Sequence, residues 1–142
     1  METQETQKDP TCKERINDHF KSRFEDIKSM YDAYCRGEED TEEGNICEYG
    51  LCFDYVPKGT FRDQKKSYFR YQISWGGPSD EFRFYVDESY KPYKIEYWFL
   101  DWFDGACKNL TGKKFEYMAD FFTEFLGCGG KESLDYVIKQ AL

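Results

Sequence analysis

The segment Asp101-Trp102-Phe103-Asp104-Gly105 contains two carboxylates at a spacing that suits metal binding or acid–base chemistry. It follows an apolar run that predicts a strand, and the end of a strand can hold side chains rigidly. Asp101 and Asp104 could bind Mg²⁺ or act as acid and base, with Glu96 or Asp87 in support. In the structural alternative, Asp101 caps or pairs locally and Asp104-Gly105 makes a turn. With 28 Asp and Glu residues in the chain, this spacing is weak evidence, and the structural alternative is favoured.

Cysteine is the second residue type that could do chemistry. Four of the six cysteines, Cys47, Cys52, Cys107 and Cys128, could supply a tetrahedral zinc site. Four residues separate Cys47 from Cys52, the loose end of zinc-knuckle spacing, and the other two cysteines form no second pair. Reduced thiols that fill gaps in the core are the favoured interpretation, and a structural zinc protein is an alternative.

Histidine chemistry depends on one residue, because His19 is the only histidine. A Ser-His-Asp triad or a His-centred metal site would need it, and no G-x-S-x-G motif is present. We interpret His19 as a boundary residue of a helix. Neither catalysis nor a cofactor is expected.

The remaining candidates indicate binding. The chain has a net charge of −8, which disfavours direct contact with nucleic acid or anionic membranes and favours a basic protein surface. Acids can steer such an encounter, and aromatic side chains can anchor it. The predicted partner-binding residues are Glu38, Glu39, Asp40, Glu42, Glu43, Glu48, Tyr90, Tyr93, Trp98, Trp102, Asp101 and Asp104.

Periodicity predicts the elements that position these residues. A helix is expected over 9–37, with Asp9 as N-cap and Pro10 in the first turn, because apolar residues recur every three or four positions. Over 46–103 the period becomes two, which predicts antiparallel strands. Two helices are expected over 112–142, and residues 1–8 are expected to be disordered. The prediction is one α+β domain: a four-stranded antiparallel β-meander packed by a long N-terminal helix and two C-terminal helices.

Two stretches, 71–84 (YQISWGGPSDEFRF) and 97–106 (YWFLDWFDGA), resemble small acidic proteins of phages, plasmids and other mobile elements. The resemblance covers about a third of the chain. Many such proteins are of the anti-CRISPR or anti-restriction type and occupy nucleic-acid-binding surfaces of host defence complexes. The resemblance implies an inhibitor of that kind and transfers no catalytic residue.

The combined expectation is a non-catalytic, acidic protein that binds a basic surface of a host protein or ribonucleoprotein complex. A small metal-dependent enzyme using Asp101 and Asp104, or a structural zinc protein, is the alternative. The first ten residues lack the apolar segment of a secretory signal, so the expected location is the cytoplasm. The sequence leaves the oligomeric state open.

Overall fold

A computed structural model describes residues 11–38 and 40–142. Its elements, in chain order, are α1 (Cys12–Cys35), α2 (Ile46–Tyr49), β1 (Cys52–Val56), β2 (Tyr68–Ser74), β3 (Ser79–Val86), β4 (Pro92–Asp101), β5 (Asp104–Asn109), α3 (Gly112–Phe121), a π-helical continuation (Phe122–Leu126) and α4 (Lys131–Ala141). The predicted α+β class is confirmed. The expected disorder of residues 1–8, and the predicted helix start at Asp9 and Pro10, lie outside the described residues.

The sheet has five antiparallel strands in the order β1-β2-β3-β4-β5, so the prediction of four strands was wrong. β4 ends at Asp101, and β5 begins after a two-residue turn made by Trp102 and Phe103. Trp102 adopts the left-handed conformation that this tight reversal needs, with φ of 57°. The sheet therefore spans Cys52 to Asn109 and not 46–103, and Ile46 lies on α2.

Helix α1 begins at Cys12, where Thr11 and Glu14 form a reciprocal capping box. Its 24 residues make it about 36 Å long at 1.5 Å per residue. It crosses the strands and does not follow them. Arg15 meets Asp101 of β4, and Arg23 meets Asp80 of β3.

Most of the aromatic side chains build the core between the helices and one face of the sheet. Phe20 of α1 packs on Phe82 and Tyr97, and Phe122 packs on Phe69 and Phe84. Large rings bury much apolar area per residue, which lets a short chain form a stable core.

The opposite face of the sheet is polar and charged. The strand register places Asp54, Arg70, Arg83 and Glu96 in one row across β1 to β4. Arg70 pairs with Asp54 at 2.7 Å, and Arg83 pairs with Glu81 at 2.7 Å. We call this side of the sheet the open face.

Candidate functional site

Asp101 and Asp104 are engaged in contacts that hold α1 against the β4–β5 turn. Asp101 Oδ2 accepts a hydrogen bond from Arg15 Nη1 at 2.7 Å. Asp104 Oδ2 accepts one from the backbone N–H of Cys12 at 2.7 Å, and its Oδ1 accepts one from Gly105 at 2.9 Å. Asp104 thereby binds the positive end of the helix. The hydrogen bond from Cys12 lowers the pKa of Asp104.

The residues proposed to support a metal at this turn lie elsewhere. Asp87 is in the β3–β4 turn, at the other end of β4, where it accepts hydrogen bonds from Ser89 and Lys91. Glu96 lies on the open face, where Tyr85 and Trp98 donate to it. Over residues 11–38 and 40–142, no three His, Cys, Asp or Glu side chains cluster in a way that could hold a metal ion.

The four cysteines considered as zinc ligands are distributed over the molecule. Cys52 of β1 and Cys107 of β5 share one row of the sheet but lie at its two edges. Four inter-strand steps of about 4.8 Å put them about 19 Å apart, too far for one ion. The single histidine, His19, packs against the core: its ring stacks on that of Phe99, with the centroids 4.2 Å apart.

The acids after α1 form a compact turn. Thr41 and Gly44 exchange backbone hydrogen bonds of 3.0 and 3.1 Å, and Glu43 accepts one from Ser29 of α1 at 2.8 Å. Glu38 pairs with Arg36 at 3.0 Å. These hydrogen bonds lower the pKa values of Glu38 and Glu43, so both carboxylates are ionised at neutral pH. Glu39 lies outside the described residues.

Two acids that the sequence analysis missed lie at the same end of α1 as this turn. Burial and a hydrogen bond with Cys35 raise the pKa of Tyr31, and the charges of Asp120 and Glu124 add to that shift. Those two acids therefore lie close to the last turns of α1. The exposed acids at this end of α1, here called the acidic pole, are Glu38, Asp40, Glu42, Glu43, Asp120 and Glu124. This grouping has no direct signal in the sequence, because only the packing of Phe121 and Phe125 on α1 places both segments at one end of the helix.

The acidic pole also carries an aromatic side chain. Tyr34, on the last turn of α1, is about half exposed and packs edge-on against Phe125, with centroids 5.4 Å apart. Glu48 lies nearby in sequence and is exposed on α2. An exposed ring among carboxylates offers both a contact surface and charge.

The predicted aromatic residues do not form one surface. Tyr90 is half-buried against Phe69 and donates a hydrogen bond to Asp135, whereas Trp98 is half-buried beneath Arg83. Tyr93 is about half exposed at the start of β4. Two of the predicted rings, Tyr90 and Trp98, are therefore only partly exposed, and their role in partner binding stays a prediction.

Trp102 is the exception, with 86% of its surface exposed, and the neighbouring Phe103 is fully exposed. Trp75, which is also largely exposed, lies across a shallow groove of about 420 Å³ from Trp102. We call Trp75, Trp102 and Phe103 the aromatic tip. Exposed rings grouped in this way are unusual on a protein that binds nothing.

The acidic pole and the aromatic tip lie at opposite ends of α1. Asp104, beside the aromatic tip, binds the first residue of the helix, whereas the acidic turn follows its last residue. The two patches are therefore two surfaces and not one.

Comparison with known proteins does not assign the protein to a family. No protein-family model, curated protein or solved structure matches the chain. In the described residues, no helix is both long and apolar enough to cross a membrane. A function is therefore inferred from the two surfaces.

Proposed function

We propose that the protein is a non-catalytic inhibitor from a phage or mobile element that binds a basic, nucleic-acid-binding surface of a host defence complex. The observation that supports this function is the acidic pole. Residues 38–43 hold five acids and no base, and Asp120 and Glu124, from a distant part of the chain, lie at the same end of α1. The partner class is that of CRISPR effector complexes, as in anti-CRISPR proteins, and the site of action is the host cytoplasm.

Electrostatics explains why such a pole suits this partner. A surface that grips nucleic acid presents closely spaced Lys and Arg side chains to phosphates. Ionised carboxylates on a folded turn present the same sign of charge to those cations. Long-range attraction raises the association rate, although salt near 0.15 M screens exposed charges beyond about 8 Å.

The aromatic tip supplies a second contact in this proposal. Rings such as Trp102 bury a large area when a partner covers them, and aromatic residues dominate the binding energy of many interfaces. Because α1 separates the two patches by about 36 Å, one partner must be large to reach both. A multi-subunit ribonucleoprotein complex meets that requirement.

The direct test uses purified CRISPR effector–guide RNA complexes of several types, with target-DNA binding and cleavage measured while the protein is titrated. The pole variant combines Glu38→Gln, Asp40→Asn, Glu42→Gln and Glu43→Gln. The control removes the same charge from scattered exposed acids: Asp18→Asn, Glu88→Gln, Glu116→Gln and Glu132→Gln.

We expect the pole variant to weaken inhibition by about tenfold or more, an effect that shrinks as salt is raised. The control variant should differ from the unmodified protein by less than about threefold. If inhibition weakened equally in both variants, the net charge of the protein, and not the acidic pole, would drive binding. Unchanged inhibition by the pole variant would contradict the proposed role of the acids.

A further inference from the structure

A cleft on the open face, far from helix α1, differs in charge from the rest of the protein. It lies between the loop of residues 57–67 and strands β2 to β4, and its volume is about 480 Å³, within the usual range for small-ligand sites. We call it the loop cleft. It is lined by Phe61, Arg62, Asp63, Gln64, Lys65, Lys66, Tyr68, Arg83, Tyr85, Lys94, Glu96 and Trp98.

The loop over this cleft is held in place by its own hydrogen bonds. Gln64 is the centre of them: its side chain accepts from the backbone N–H of Phe61 at 3.0 Å and donates to the carbonyl of Lys66 at 2.9 Å. The hydroxyl of Ser67 accepts from the backbone N–H of Lys58 at 2.9 Å. The loop cleft is thus preformed, which lowers the entropic cost of binding.

The lining of the loop cleft is cationic although the protein is acidic. Five lysine and arginine side chains line it against two carboxylates. Lys94 pairs with Glu96 at 3.3 Å. Arg62, Lys65 and Lys66 make no ion pair with any residue in the described ranges. Three unpaired cations around one cavity in a chain of net charge −8 favour an anionic ligand.

Arg83 is fixed for such a role. Its guanidinium lies 4.0 Å from the ring centroid of Trp98 and 4.7 Å from that of Tyr68, and its Nε donates to Glu81 at 2.7 Å. These contacts leave its terminal nitrogens without a hydrogen bond in the part of the chain that the structure describes. A planar guanidinium held in this way is suited to binding phosphate oxygens.

Tyr68 gives an independent indication of a ligand. Its side chain is 2% exposed and lines the loop cleft, yet its hydroxyl has no hydrogen-bond partner in the described structure. A buried hydroxyl without a hydrogen-bond partner destabilises a folded protein, because it has lost its hydrogen bonds to water. A ligand oxygen in the loop cleft would supply the missing acceptor.

The rings of the loop cleft indicate which anion it takes. Phe61 is about half exposed at the mouth, and Tyr85 and Trp98 form part of the floor. Aromatic side chains of this kind stack on planar bases. We propose that the loop cleft binds a nucleotide, with its phosphate held by the cationic side chains and Tyr68, and its base stacked on Phe61.

The test is isothermal titration calorimetry of the full chain at about 50 mM salt, with AMP, GMP, CMP and UMP as probes. Adenosine and inorganic phosphate are the partial ligands. At least one nucleotide is expected to bind at least tenfold more tightly than either partial ligand. No binding of any of the four nucleotides up to about 1 mM would overturn the proposal. Phosphate binding as tight as nucleotide binding would overturn the role of the base.

Variants separate the roles of charge, ring and hydroxyl. We expect nucleotide binding to weaken at least tenfold in the triple variant Arg62→Gln, Lys65→Gln, Lys66→Gln. The control variant removes three cations from elsewhere and should keep nucleotide affinity within about twofold: Lys13→Gln, Lys113→Gln, Lys139→Gln. Phe61→Ala is expected to reduce discrimination between nucleotide and phosphate.

Tyr68→Phe tests the buried hydroxyl, because it removes a group that has no partner in the free protein. We expect an unchanged or higher melting temperature without nucleotide and about tenfold weaker nucleotide binding. A lower melting temperature with unchanged binding would show that the hydroxyl is structural. None of these changes touches the acidic pole, so failure here is distinguishable from failure of the proposed inhibitor function.

Discussion

Asp80 is the residue whose replacement should most clearly reveal how the helix layer is joined to the sheet. It is 2% exposed in β3 and accepts four hydrogen bonds. Arg23 donates two of them, at 2.7 and 3.2 Å, and Ser74 and Tyr97 each donate one at 2.5 Å. The Asp80→Asn variant keeps the size of the side chain, but it removes the charge and turns an NH₂ group toward these donors.

The expected loss of stability follows from the burial of both partners. Removing one member of a buried ion pair usually costs about 3–5 kcal/mol. The Arg23 side chain is 28% exposed, so the unpaired cation stays partly hydrated, and we expect the low end, about 3 kcal/mol. The free energy of unfolding is measured by urea denaturation at pH 7, followed by tryptophan fluorescence and circular dichroism.

The matched control is Asp54→Asn, which breaks the pair between Asp54 and Arg70 on the open face. The Asp54 side chain is 42% exposed, so water replaces the partner and the loss should stay below about 1 kcal/mol. Adding Arg23→Met to Asp80→Asn should cost little more, since the cation left unpaired is then absent. If Asp80→Asn cost no more than Asp54→Asn, the buried network would not be what joins α1 to β3.

Three further predictions follow from the contacts of single side chains. The double variant Trp102→Ala, Phe103→Ala should change the free energy of unfolding by less than about 0.5 kcal/mol, because both rings are exposed, but it should weaken inhibition of the effector complex. A large loss of stability in urea denaturation would show that the rings are structural. Asp104→Asn should lower the melting temperature at pH 7, because the low pKa of Asp104 in the folded protein stabilises the fold above the ordinary Asp pKa of about 3.9. The difference from the unmodified protein should shrink as pH falls below that value, and a gap that stayed constant down to pH 2 in thermal melts would contradict the reasoning. In the native protein, the exposed Cys35, Cys47 and Cys128 should react first with a thiol reagent such as Ellman's. Cys107 is exposed as well, but partial desolvation and the nearby Glu96 raise the pKa of its thiol to about 12, so it should react slowly, and buried Cys12 should react only on unfolding. Fast modification of Cys12 in the folded state, measured by mass spectrometry, would refute this order.

The sequence predicted the elements whose periodicity is strong. Ile16, Phe20 and Ile27 recur at helical spacing, and all three are buried in α1. Phe69, Tyr71 and Ile73 alternate, and they form the core-facing side of β2. These patterns survive because one face of each element meets the core and the other does not.

The fifth strand escaped prediction for a physical reason. Its residues include Gly105, Cys107 and Asn109, whose side chains lack the size and β-branching typical of strand residues. The segment therefore has the composition of a loop. Trp102 and Phe103 look like a continuation of β4, whereas they form the turn. No residue of this edge strand is fully buried, so no alternation of apolar and polar residues marks it in the sequence.

The candidate sites were less predictable than the fold. The acids after α1 were visible as a charge run, but only the packing of α3 on α1 places Asp120 and Glu124 at the same end of the helix. The loop cleft escaped notice because its cations come from a loop and from separate strands, and because Tyr68 reads as an ordinary strand residue. Sites built from distant segments leave no contiguous signal in one sequence.

The contact between Asp104 and Cys12 also has a consequence for how the chain folds. Each strand of the sheet pairs with its neighbour in sequence, so the meander can form by short loop closures, which are fast. The contacts that hold α1 are different: Cys12 reaches Asp104 across 92 positions, and Arg15 reaches Asp101 across 86. During synthesis, α1 leaves the ribosome well before β4 and β5. Its apolar side therefore stays exposed until these strands have been made. We expect the helix that comes first in the chain to dock last.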